Sequence, residues 1–194
     1  MTKITSLCVY CGTSSRGAAS HRAAATRLGT LLAARGIRLV YGGGCIGLMG
    51  MLADAALAGG GQVVGIIPYH LKEHEIGHDG LTELVVVDSM HERKRRMFEL
   101  ADAFAILPGG LGTLDEAVEI IAWKQLGLHD KPIVLADIDG YWTPFRALIE
   151  AVVAGGYARP EIADLFTTVE SVEAIFPALA AAPEPALGPE PERP

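Results

Sequence analysis

Six apolar runs, "SLCVYCG", "IRLVYGGG", "QVVGIIP", "ELVVVDS", "AFAILPGG" and "KPIVLADI", are each followed by a loop and usually by a helix-length segment, and a short "LFTTV" near the end adds a candidate edge strand. Runs that are apolar at nearly every position leave no face for water, so the sheet they form must be covered on both sides. Strands separated by helices pair in parallel. The pattern therefore predicts a single-domain α/β protein with a doubly wound, Rossmann-like parallel sheet and helices on both faces. In such sheets ligands sit beyond the carboxyl ends of the strands, which is where the glycine-rich stretches after Tyr41 and Leu107 fall.

With 194 residues, half of them hydrophobic, the chain can bury one sizeable core. Its net charge of −7 argues against a general nucleic-acid or anionic-membrane binder, since either needs a basic face. No apolar stretch has the length of a membrane span, and "MTKITSLCVYCG" lacks the hydrophobic core and cleavage site of a secretory signal, so the expected location is cytoplasmic. Cys8 and Cys11 fall in or at the end of a strand rather than opening a helix, and read as buried, reduced thiols. Residues 1–182 form the expected domain; residues 183–194, rich in proline and without periodicity, read as a disordered tail.

Two glycine loops carry the first functional signal. "YGGGCIG" holds Gly42, Gly44 and Gly47 in the G-x-G-x-x-G spacing between a strand and a helix, but the next strand ends in Pro68 and Tyr69 where a dinucleotide site would need an acid. This leaves a tight turn, or a turn whose backbone lines a pocket. "PGGLGT" is more informative. Gly109, Gly110 and Gly112 permit positive φ, and Thr113 offers an N-cap where helix amides point outward, a cradle for a phosphate. Thr113 and Glu116 also match a capping box, in which Glu116 would merely return a hydrogen bond to the backbone.

"DSMHERKRRMFELADA" predicts a helix opened by Ser89, with Glu92 completing a second capping box. At 3.6 residues per turn Met90, Met97, Phe98, Leu100 and Ala101 share one face with Arg93 and Lys94, while Glu92, Arg95, Arg96, Glu99 and Asp102 lie opposite. A cation turned toward apolar packing costs several kcal/mol unless an anion meets it, so Arg93 predicts a carboxylate partner, a bound phosphate, or both. Snorkelling is the competing explanation, stronger for Lys94 than for Arg93. On the helix carrying Glu116, Ile120 and Trp123 continue one apolar side, and Leu114, Val118, Ile121 and Gln125 line another. A helix apolar on two sides at the outside of this fold predicts a homodimer with the active site close to its interface.

"YGGGCIGLMG", "MHERK" and "PGGLGTLDE", with "WKQLGLHDKPIVL" after them, resemble the Lonely Guy family of cytokinin riboside 5'-monophosphate phosphoribohydrolases, over about Cys8 to Tyr157. The resemblance implies a doubly wound, commonly dimeric enzyme that releases a free purine base and ribose 5-phosphate without metal or organic cofactor. It implies a catalytic pair at Arg93 and Glu116. It further implies nucleotide contacts at Glu75, Met90 and Lys94, at Gly43 and Gly44, and along Gly109, Gly110, Leu111, Gly112, Thr113, Leu114 and Asp115. The substrate would be AMP or isopentenyladenosine monophosphate. Many members have Thr where this chain has Ala122, which removes one expected contact.

Some members of this family have been labelled lysine decarboxylases; a pyridoxal enzyme needs a Schiff-base lysine with a partner for the ring nitrogen, and nothing in the sequence singles out such a set. A 5'-phosphate on the amides of Gly110 to Thr113 would set the ribose against the first turn of the helix, where Glu116 could stabilise positive charge or orient a water. Arg93 could pair with Glu116 in the empty enzyme and contact ribose, phosphate or base in the complex. His70, His74 and His78 recur every fourth residue, but Gly77 breaks any helix that would align them on a metal, so "YHLKEHEIGHDG" reads as a polar, mobile flap. Asp137 and Asp139 read as turn-forming residues. A non-catalytic nucleotide- or cofactor-carrying module on the same fold is the rival function.

Overall fold

The computed structural model describes residues 4–72 and 77–182. Each of the six apolar runs, and the short "LFTTV", forms a strand: β1 (Ser6–Tyr10), β2 (Arg38–Tyr41), β3 (Val63–Pro68), β4 (Glu83–Val87), β5 (Ala103–Ile106), β6 (Ile133–Ala136) and β7 (Thr167–Val169). They make one parallel sheet in the order β4-β3-β2-β1-β5-β6-β7. The helices are α1 (Ala19–Arg35), α2 (Gly47–Ala58), the single turn α3 (Tyr69–Lys72), α4 (Met90–Leu100), α5 (Leu111–Gln125), α6 (Thr143–Ala154) and α7 (Ile175–Ala181).

Alternate residues of each central strand feed two separate cores. Leu7, Val9 and Cys11 pack under α1, α2 and α7, whereas Cys8, Tyr10, Phe104 and Ile106 pack under α4, α5 and α6. This two-sided burial explains why the strands are apolar throughout, with Leu7, Cys8 and Val9 all fully buried. Cys8 and Cys11 are buried as expected, and burial pushes both thiols far above their usual range.

The sheet order reverses at β1, whose neighbours are β2 on one side and β5 on the other. At this switch point the chain leaves the β4 edge and returns to the centre, α1 after β1 and α5 after β5 pack on opposite faces of the sheet, and the crevice at such strand ends is where ligands bind in this fold. Gly12 N donates to Pro108 O at 3.0 Å and Leu48 N to Gly12 O at 3.0 Å, which ties the loops after β1, β2 and β5 together around it. No helix among the described residues is long and apolar enough to cross a membrane. The expected disordered tail lies outside the described residues.

Candidate active site

Helix α4 begins as the sequence predicts: Ser89 Oγ accepts from Glu92 N at 3.1 Å. The return bond differs slightly, since the Glu92 carboxylate accepts from Asp88 N at 3.2 Å rather than from Ser89. With that start fixed, Arg93, Lys94 and Met97 are the buried residues of the helix, while Arg95, Arg96 and Glu99 stay exposed and pair among themselves.

Arg93 is 5% exposed and finds its anion in Glu116, which is 3% exposed; Nη1 to Oε1 is 2.9 Å. Its Nε donates to the carbonyl oxygen of Ile66 on β3 at 3.2 Å. The guanidinium also lies against Gly42, where a Cβ would collide with Nη2. One planar group therefore bridges β3, the β2–α2 loop and α5, a task its rigid fork of donors suits. The Ile66 and Gly42 contacts had no signal in the sequence, because each joins backbone on one element to a side chain on another.

Glu116 lies in the second turn of α5 facing the sheet. Helical side chains lean toward the N-terminus, so its carboxyl points back toward the open end of the helix. Burial pushes this carboxyl up to about 7, while the Arg93 guanidinium pulls in the opposite direction. Glu116 thus carries a carboxyl balanced near neutral pH, buried beside Arg93.

The capping-box reading of Thr113 and Glu116 is corrected. Helix α5 starts at Leu111 with Gly110 as N-cap, so Thr113 is an interior residue of the first turn. Its buried side chain fills the place where Gly109 would carry a Cβ. The glycines of this loop do not use positive φ either: Gly110 has φ −89°, and neither Gly109 nor Gly112 is in the left-handed region. Gly109 is needed for close approach to Thr113, while a Cβ on Gly110 or Gly112 would meet open space. The first amides of α5, on Leu111, Gly112 and Thr113, have no acceptor within the helix and so remain an anion site in kind.

Lys94 Nζ lies 3.0 Å from both Asp115 Oδ2 and Glu119 Oε1 on α5, and these carboxylates raise its pKa despite the opposing effect of burial. Asp115 is thereby explained in the unliganded chain as a partner of Lys94. The environment is the reverse of what a Schiff-base lysine needs, since such an amine must lose its proton easily. Two other lysines do have lowered pKa values through burial, Lys124 and Lys131, but they donate to the carbonyls of Lys131 and Phe98 near the amino ends of β5 and β6, away from the crevice. The residues do not fit a pyridoxal site. Lys124, only 2% exposed, is a buried cation the sequence reading did not anticipate.

The remaining expected contacts distribute unevenly. Met90 opens α4 half-buried; Leu111 is 84% exposed, and Leu114 is half-buried against the core under α5. Gly43 (φ 80°) and Gly44 are buried, and they hold the neighbouring segment: Gly43 O accepts from His78 N at 3.2 Å, and Gly44 bridges Gly77. His78 is further tied to Asp54 at 2.8 Å. The flap expected over 69–80 is therefore corrected in part, since Tyr69–Lys72 is helical and residues 77–78 are pinned to the β2–α2 loop. Glu75 and His74 lie outside the described residues. Asp137 and Asp139 do shape a turn, with Asp137 Oδ1 accepting from Trp142 N at 2.5 Å and Asp139 at φ 54°.

A family model described as "Possible lysine decarboxylase" matches residues 49–179. A probable cytokinin riboside 5'-monophosphate phosphoribohydrolase of Oryza sativa subsp. japonica is 48% identical over 84% of this chain and 71% of its own length. A cytokinin riboside 5'-monophosphate phosphoribohydrolase of Arabidopsis thaliana is 42% identical over 89% of this chain and 81% of its own. Among solved structures, the molybdenum cofactor binding protein of Rippkaea orientalis superposes with a TM-score of 0.70 at 20% identity, covering 93% of this chain and 98% of that one. At that identity the likeness shows the doubly wound fold alone. The sequence relatives show more: the chain belongs to the family of cytokinin riboside 5'-monophosphate phosphoribohydrolases, the same family whose model carries the lysine decarboxylase description.

Proposed function

We propose that this protein hydrolyses the N-glycosidic bond of purine riboside 5'-monophosphates, cytokinin nucleotides included, giving the free base and ribose 5-phosphate. The observation that carries the reading is the buried Arg93–Glu116 pair at the crevice, beside the open amides of α5. A phosphate held by those amides leaves the ribose alongside the first turns of the helix. Glu116 lies five residues beyond the start of α5, about 7.5 Å along the axis, a span comparable to a ribose.

Breaking the C1'–N9 bond leaves positive charge on the sugar ring. Glu116 as a carboxylate stabilises that charge and orients the water that adds at C1'; the proton released by the water balances the one the departing base requires. Arg93 offsets part of what burial costs the Glu116 carboxylate and turns toward the substrate when it enters. Lys94, Asp115 and the glycine loop surround the phosphate and ribose.

The same reading places a homodimer contact on the outer side of α5. Val118 is 50% exposed and Leu111 84%, with Leu126 and Leu128 exposed beyond its end, an apolar stripe that a second copy would cover. Ile121, expected on that stripe, is instead part of the chain's own core.

A carrier function on this fold would use the crevice without needing a buried guanidinium–carboxylate pair. The deciding experiment is a chromatographic assay for free base released from AMP and from isopentenyladenosine monophosphate. Release of adenine or isopentenyladenine with ribose 5-phosphate is expected; tight binding with no release of base would favour the carrier.

A further inference from the structure

The loop after β6 sends one side chain across the crevice mouth that the hydrolytic reading leaves unused. Tyr141, 41% exposed, donates its hydroxyl hydrogen to the carbonyl oxygen of Gly109 at 2.5 Å. Its ring is held from two sides. His21 of α1, itself buried, meets it edge-on with centroids 5.2 Å apart, and Trp142 does so at 5.0 Å. Trp142 is 2% exposed and anchored through its backbone to Asp137. To reach this position the chain takes two consecutive left-handed residues, Asp139 (φ 54°) and Gly140 (φ 72°), and Asp139 is the one non-glycine residue at positive φ among the described residues. Backbone strain of this kind persists where the surroundings over-determine it, and here it aims Tyr141 at the glycine loop.

The bond it makes is with the most freely turning peptide of that loop. The unit between Gly109 and Gly110 has a glycine on each side, so no flanking side chain restricts its rotation. A trans peptide points its carbonyl oxygen and its N–H in opposite directions. Fixing Gly109 O therefore fixes Gly110 N–H, the amide that leads into the cradle of α5.

We infer that Tyr141 is a positioning residue for the phosphate end of the substrate: its hydroxyl locks the Gly109–Gly110 peptide in the orientation that presents the amide to an anion. The inference rests on the phosphate-binding part of the proposed function.

The test is Tyr141→Phe, which keeps the ring between His21 and Trp142 and removes only the tether. KM and kcat for AMP are measured together with inhibition constants for ribose 5-phosphate and for adenine. Loss of one such bond should raise KM for AMP and the inhibition constant of ribose 5-phosphate by about tenfold, with kcat and the adenine constant nearly unchanged. Wild type inhibited by ribose 5-phosphate and Tyr141→Phe inhibited equally would overturn the role of Tyr141 alone. A rise in the adenine constant matching that for ribose 5-phosphate would also overturn it, because a general loosening of the site would be the cause. Wild-type enzyme indifferent to ribose 5-phosphate would overturn the phosphate reading, and this inference with it.

Discussion

Arg93 and Glu116 meet 2.9 Å apart from different helices, α4 and α5, each almost wholly buried. A pair like this is poor value as a stabilising device, since desolvation offsets most of the attraction. It is well suited to holding a carboxylate ready beside a substrate.

Arg93→Ala should lower turnover on AMP by about a hundredfold or more, by analogy with removal of a single transition-state donor. Arg93→Lys should also lose at least about tenfold, because an ammonium cannot reach Ile66 O and Glu116 with one planar fork. Steady-state kinetics with a circular-dichroism check on folding decides this; near-wild-type activity in Arg93→Lys would show that only charge matters.

Because burial lifts the Glu116 carboxyl to about 7, kcat/KM should rise with pH through an ascending limb centred near that value, the ionised form being the active one. The residual activity of Glu116→Gln should lack this limb. The effect on stability runs the other way. A carboxyl with a raised folded pKa binds its proton more tightly in the folded state, so its contribution is fullest below the usual value of 4.5 and is lost as pH rises toward 7. Glu116→Gln should therefore gain stability relative to wild type between those pH values, measurable by denaturant titration.

Gly42→Ala places a methyl group where Arg93 Nη2 lies. The guanidinium must move away from Glu116, so activity should fall by about tenfold or more while the sheet survives, the clash being with the far end of a side chain. Unchanged kinetics would mean that Arg93 is not held where it acts.

Lys94→Ala removes the tie from α4 to Asp115 and Glu119. Since Asp115 is largely exposed, the stability cost should be about 1 kcal/mol and diminish with salt, whereas KM for AMP should rise. A salt-independent loss with KM unaltered would assign Lys94 to structure alone.

Much of this was legible in the sequence, for identifiable reasons. The strands were readable because two-sided burial leaves an apolar residue at every position, as at Leu7, Cys8 and Val9. The inward turn of Arg93 was readable because helical period puts it beside Met97 on the buried face. The start of α5 was not, because three glycines and a threonine imitate a loop followed by a cap, whereas the helix starts from Gly110 without a side-chain cap. Nor were the contacts of Gly42, Ile66 and Tyr141, which arise where β3 and the loops after β2, β5 and β6 converge. Such convergence belongs to the strand order, which no local pattern records.

The most direct measurement compares wild type with Glu116→Gln for release of adenine and ribose 5-phosphate from AMP at pH 8, with thermal melting of both as a control. The account predicts a fall of about a hundredfold or more with both proteins melting cooperatively. Equal rates from the two proteins would remove the carboxylate from the reaction and contradict it.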